Sequence, residues 1–203
     1  MTGNFEEQEL KDRLSLIETM IGEGRRTTER WGWTFVLWGV AYFVAIAWST
    51  WGSSNWAWPV TMIAAGVVTG IVASRTASSK PETTIGRAMG SIWIAMGISM
   101  FLLFMAMGIS HRFEGHIFVA IIGAMLGMAN ATSSLILKWK AQFACAVVWW
   151  SAAVAACFGS ASQTTIVFLA AIFLCQIVFG IYAMVCESRR RRIHKGNQGV
   201  ANA

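Results

Sequence analysis

From residue 31 onward the chain alternates long apolar runs with short polar breaks. The runs cover 31–50, 57–74, 89–109, 115–136, 142–159 and 164–186. Each approaches the ~20 residues that carry a helix across a ~30 Å hydrocarbon core. A backbone in lipid must satisfy its own N–H and C=O groups, and runs without apolar–polar alternation do so as helix rather than as barrel strands. The pattern predicts an all-α integral membrane bundle of six transmembrane helices, arranged as three hairpins.

Ahead of this bundle the period changes. Leu10, Leu14, Ile17 and Ile21 recur at spacings of four, three and four, and Leu16 and Met20 widen the stripe. That period belongs to an amphipathic helix, here expected over residues 4–21. Asn4 is placed to cap it, with Glu7 in the capping-box position. Glu6, Glu7 and Glu9 suit the positive end of its dipole. Gly22 and Gly24 are expected to loosen it before the basic run of Arg25, Arg26 and Arg30. Residues 1–30 thus read as a cytoplasmic amphipathic helix with a basic linker, 31–187 as the transmembrane domain, and 188–203 as a basic, disordered tail.

Composition supports a membrane protein, because hydrophobic residues make up 56% of the chain and charged residues 13%. So few charges cannot cover a soluble surface. Their distribution also predicts orientation. Of the 16 Lys and Arg, only Arg112 falls in an odd-numbered loop. The others lie in the N-terminal segment, the second and fourth loops, and the C-terminal tail. Positive charge stays on the cytoplasmic side, so both termini are expected there. The first thirty residues hold no continuous apolar core and no small-residue cleavage site, so no signal peptide is expected. The pI near 9.6 then reflects orientation rather than nucleic-acid binding. "RRRRIHK" begins just after the sixth run, and Arg189, Arg190, Arg191 and Arg192 are expected to face anionic lipid.

Small and polar residues suggest how the helices meet. Gly66/Gly70, Gly86/Gly90 and Gly123/Gly127 are G-x-x-x-G pairs, which let helix backbones approach closely in lipid. Asn130, Thr132, Ser133 and Ser134 in the fourth run, with Gln176 in the sixth, form a polar set. Such groups serve as glue between helices, or line a narrow path for a neutral solute. Trp48, Trp51, Trp56 and Trp58 crowd one end of the first two runs, as an interfacial belt does. Trp38, Trp93 and Trp149 recur at intervals of 55 and 56 residues, hinting at a threefold helix-pair repeat. Cys145, Cys157, Cys175 and Cys186 lie in or beside the spans without a C-x-x-C, and are expected as reduced thiols.

One stretch, "HRFEGH" at 111–116, gathers groups that bind metals or protons. His111, Glu114 and His116 offer three donors, but their spacings of three and two do not form the i, i+4 face of a zinc helix. An ordinary outer turn is the expected reading, with a proton-responsive cluster and a metal site as alternatives. No nucleophile–base pair, paired carboxylates or H-E-x-x-H motif occurs in the spans, so neither an enzyme nor a cofactor is expected.

"LSLIETMIGEGRRTTERWGWTFVLWG", "SIWIAMGISMFLL" and "GMANATSSLILKWKAQFACAVVWW" together resemble a family of small bacterial membrane proteins. Its members have an amphipathic N-terminal helix and six predicted spans, and their genes often lie beside winged-helix regulators. The matching positions include Leu14, Ile17, Met20, Ile21, Leu37-Trp38-Gly39, Ile92-Trp93, Gly97, Gly127, Leu135 to Lys138 and Trp149, over about 14–187. The resemblance implies the fold and a bacterial inner membrane, and brings no catalytic residue. The expected function is a non-enzymatic interaction or sensory module that docks a partner through Leu10, Leu14, Ile17 and Ile21. The alternative is a small-solute or ion transporter lined by the polar set. Expected partners are a bilayer with anionic lipids and a protein or second copy, without nucleic acid.

Overall fold

A computed structural model of the chain describes residues 2–52, 56–76, 84–110 and 114–201. It runs through α1 (Thr2–Arg30), α2 (Gly32–Trp51), α3 (Ala57–Thr76), α4 (Thr84–Ile109), α5 (Gly115–Leu137), α6 (Lys140–Phe158) and α7 (Ala161–Ile172). A π-helical turn, Phe173–Val178, then joins α7 to α8 (Phe179–Ala201) in one unbroken helix. There is no strand among the described residues. Among these residues six helical stretches are long and apolar enough to cross a membrane, with α1 and α2 counted as one (Glu7–Trp51) and α7 through α8 as another (Ala161–Arg192).

The helix boundaries follow local chemistry. Lys138 ends α5 in the left-handed region at φ 50°, and its N–H caps the Ser134 carbonyl. Trp139 donates to the same carbonyl at 2.9 Å, which turns the chain directly into α6. Ser160 starts α7 through a capping box with Gln163, satisfying donors that a helix start otherwise leaves free.

Three expectations at the chain ends need correction. Helix α1 begins at Thr2, so Asn4 lies inside it rather than capping it. Gly22 and Gly24 do not loosen it, and the residues expected as a linker are helical to Arg30. Only Trp31 separates α1 from α2, with its N–H still bonded to Thr27 O at 3.1 Å. The tail expected as disordered continues α8 to Ala201.

The core lies among α2, α5, α6, α7, the π turn and the start of α8. Trp149, Leu137 and Ile172 are fully buried there. The closest helix pairing is α5 against α6. A Cβ on Gly123 would stand 3.0 Å from both Ala153 Cβ and the Trp149 carbonyl, and one on Gly127 would collide with the Trp150 ring. Helices α2 and α8 are nearly as close, since a Cβ on Gly32 would lie 3.0 Å from Gly180 O.

Helices α3 and α4 flank this core, α3 against α2 and α4 against α1 and α5. Gly66, Gly70 and Gly90 have nothing within 4 Å of where a Cβ would stand. The expected close contacts at these glycines are therefore absent among the described residues. A G-x-x-x-G spacing places two small residues on one face, but does not say whether a helix covers it. Helix α3 instead packs through Trp58, whose ring lies 6.3 Å from Phe104 and 5.8 Å from Phe118. The three recurring tryptophans are not equivalent either. Trp149 is at the centre of the core, whereas Trp38 and Trp93 are partly buried at its edge.

Candidate functional site

The end of the bundle that carries Arg25, Lys138, Lys140 and Arg190 is called here the basic end. Across it lie the last turns of α1. At Gly24 a Cβ would meet Ile85 at the start of α4 and Leu137 at the end of α5. One residue on, the Arg25 guanidinium sits 5.0 Å above the Trp139 ring. Trp139 in turn packs on Phe179 at 5.1 Å and Tyr182 at 6.3 Å. Gly32 then contacts Gly180, Ala183 and Met184 of α8. Gly24 and Gly32 therefore both reach the same level of the bundle, and α1 crosses its end rather than standing away from it.

Glu29 is the polar centre of this crossing and is 0% exposed. Its Oε1 accepts from Arg25 Nε at 3.2 Å and from Arg190 Nη2 at 3.1 Å. Its Oε2 has no hydrogen-bond partner among the described residues. The two arginine side chains keep 34% and 39% of their exposure. The carboxylate is thus sealed inside while its counter-charges sit at the boundary. A buried charge is tolerated only when paired, because desolvation costs several kcal/mol per ion. Sequence reading missed Glu29. The available signal was its place as the last acid before the first span, four residues after an arginine.

The other half of α1 is uncovered. Leu10, Leu14, Leu16 and Ile17 are 51–61% exposed, and Ile21 is partly buried. Lys11 pairs with Glu7 and Arg13 with Glu9 along this segment, contacts that contribute little at a solvated surface. The stripe of Leu10, Leu14, Ile17 and Ile21 continues in phase through Gly24 and Thr28. One face of α1 is therefore packed on the bundle near its C-terminus and open toward its N-terminus.

The expected polar set divides. Asn130, Ser133, Ser134 and Gln176 are buried, while Thr132 is exposed and points away from them. Asn130 Nδ2 donates to Leu126 O at 2.8 Å and Ser134 Oγ to Ala131 O at 2.7 Å, so both bond within their own helix rather than across helices. Ser133 Oγ and both amide atoms of Gln142 find no partner among the described residues. Gln142 is 0% exposed and was not anticipated, because it follows a lysine-bearing turn that reads as surface. Toward the opposite end, Tyr42, Phe168 and Trp149 close the core, with ring centroids 6.3 and 6.1 Å apart.

In "HRFEGH", Glu114 Oε2 and His116 Nε2 are 3.4 Å apart at the exposed start of α5. His111 lies outside the described residues. No group of His, Cys, Asp or Glu that could hold a metal occurs among the described residues. The four cysteines are free, and Cys175 Sγ lies 3.5 Å from the Cys145 carbonyl. Within the arginine run, Arg190 turns to Glu29 and Arg191 to Glu187, which leaves Arg189 and Arg192 as the exposed pair without an ion-pair partner among the described residues. Comparison of the chain with family models, with curated proteins and with solved structures finds no match.

Proposed function

We propose that this chain is a non-enzymatic module of a bacterial cytoplasmic membrane that docks a protein partner through α1. The observation that carries this reading is the division of α1. Its C-terminal turns are held on the bundle by Glu29, while the apolar stripe of its N-terminal half is uncovered. An uncovered stripe on an anchored helix presents regularly spaced apolar anchors, as helix-in-groove recognition requires. The six spans then serve as three hairpins that hold the helix at the membrane, with the basic end and both termini in the cytoplasm. The family resemblance adds the bacterial setting and the neighbourhood of transcriptional regulators.

Two results are expected. A reporter fused after Ala203 is active in the cytoplasm and one inserted at Asn55 is active outside; the reverse pattern defeats the orientation. Leu14→Glu with Ile17→Glu leaves membrane insertion intact, because both residues lie outside the apolar run 31–50 that forms α2, but abolishes partner capture after cross-linking in membranes. If that double variant keeps every interaction of the parent, the stripe is not a docking surface.

A second reading draws on the unpartnered Ser133 and Gln142 near the basic end. Buried polar groups normally find a protein or water partner, and a path for a small neutral solute supplies one. Solute flux in liposomes, compared between the parent and Gln142→Leu, separates this reading from the first.

A further inference from the structure

We infer that Glu29 is a latch, and that α1 is a strap which this latch holds closed across the basic end of the bundle. The contact joins two segments 161 positions apart in sequence, α1 and the arginine run of α8. Gly24 and Gly32 give close approach but little side-chain surface, and Arg25 covers Trp139 as a cation over a ring. The Glu29 carboxylate therefore supplies the directional part of the attachment, through its charge-assisted hydrogen bond from Arg190 of α8, while the bond from Arg25 lies within α1 and orients the carboxylate.

The asymmetry of the pairing makes it a latch rather than a fixed core contact. Both arginine side chains are already more than one-third exposed, so they can pass to solvent or to anionic headgroups at small cost. The carboxylate is wholly buried and cannot lose them without either leaving the interior or being left uncompensated. Opening the pair and lifting the last turns of α1 are thus one event. The consequence for docking rests on the reading of α1 as the docking helix. A partner that draws α1 away must break the Glu29–Arg190 pair, and whatever occupies Arg190 favours partner capture by the same factor.

The test is backbone hydrogen–deuterium exchange on the full chain in lipid nanodiscs. In the parent, amides of residues 22–30 are expected to be protected well above those of 7–19. Glu29→Gln removes the charge from both hydrogen bonds and is expected to raise exchange over 22–30 by roughly tenfold or more, with α5 and α6 unchanged. The charge swap Glu29→Arg with Arg190→Glu returns a carboxylate to a position between two guanidiniums and is expected to restore most of the protection. Unchanged exchange in Glu29→Gln overturns the latch. So does a swap that keeps α5 and α6 protected but leaves 22–30 open. If the swap does not fold, Arg190→Gln decides, because it alters only a part-exposed residue: severalfold faster exchange over 22–30 supports the latch and parent-like exchange overturns it. None of these outcomes depends on a docked partner, so loss of the latch and loss of the docking surface are read separately.

Discussion

Trp149→Ala is expected to lower the stability of the protein in detergent by about 3 kcal/mol, read as a fall in the thermal or denaturant midpoint. Trp149 is 0% exposed, faces Phe168 at 6.1 Å, and lends its carbonyl to the close approach of Gly123. In lipid or detergent the transfer part of a core substitution largely drops out, because the surroundings are as apolar as the interior. The cavity part remains, at roughly 24 cal/mol per Å³ of space that the neighbours cannot fill. Those neighbours are Ala-rich helix faces at α5 and α6, whose backbones are already in contact and cannot collapse further. Phe158→Ala is the control, since Phe158 is 88% exposed and its ring packs on nothing in the core. Equal losses for the two variants would mean that Trp149 is not a packing centre.

Gly123→Leu is expected to cost about 1–3 kcal/mol by overpacking, again as a lowered midpoint in detergent. The first carbon of the new side chain would already meet Ala153 Cβ and backbone of α6 at 3.0 Å, and a backbone cannot rotate out of the way. Gly127→Leu is expected to cost less, because its obstacle is the Trp150 ring, a part-exposed side chain able to swing into lipid. Gly66→Leu, on the open face of α3, is expected to melt like the parent. A series in which Gly66→Leu is the most damaging would reverse the assignment of core and periphery.

These cases mark where sequence reading reached and where it stopped. The spans were legible because lipid imposes a length and a composition that little else requires. The run read as 115–136 became α5 at Gly115–Leu137, and that read as 31–50 became α2 at Gly32–Trp51. The Leu10–Ile21 stripe was legible for a similar reason, since its period is a property of one helix alone. Facing was not. Gly123/Gly127 and Gly66/Gly70 carry the same spacing, yet one pair meets α6 and the other meets nothing among the described residues. The difference lies in the partner helix, which no local pattern encodes. Glu29 was hidden by its neighbour. An Arg–Glu pair at i, i+4 normally reads as a solvated helix face, and only the distant Arg190 converts it into a buried centre. Gln142 was masked by Lys138 and Lys140, whose charges mark a surface turn, although one face of the helix that follows turns inward through Gln142, Cys145, Ala146 and Trp149.

The π-helical turn at Phe173–Val178 sets the azimuth of everything that follows it. A π turn is equivalent to one residue inserted into an α-helix, and one residue corresponds to about 100° of rotation. Gln176, inside the turn, faces Gly39 of α2, and Gly180, just beyond it, meets Gly32. Were the turn replaced by regular helix with one residue fewer, the exposed and buried sides of α8 would trade places by more than a quarter of a revolution. Arg190 would then be carried away from Glu29 without any change to either residue. The meeting of these two charges at the basic end is therefore specified some ten residues earlier, by an irregularity in the middle of an apolar run.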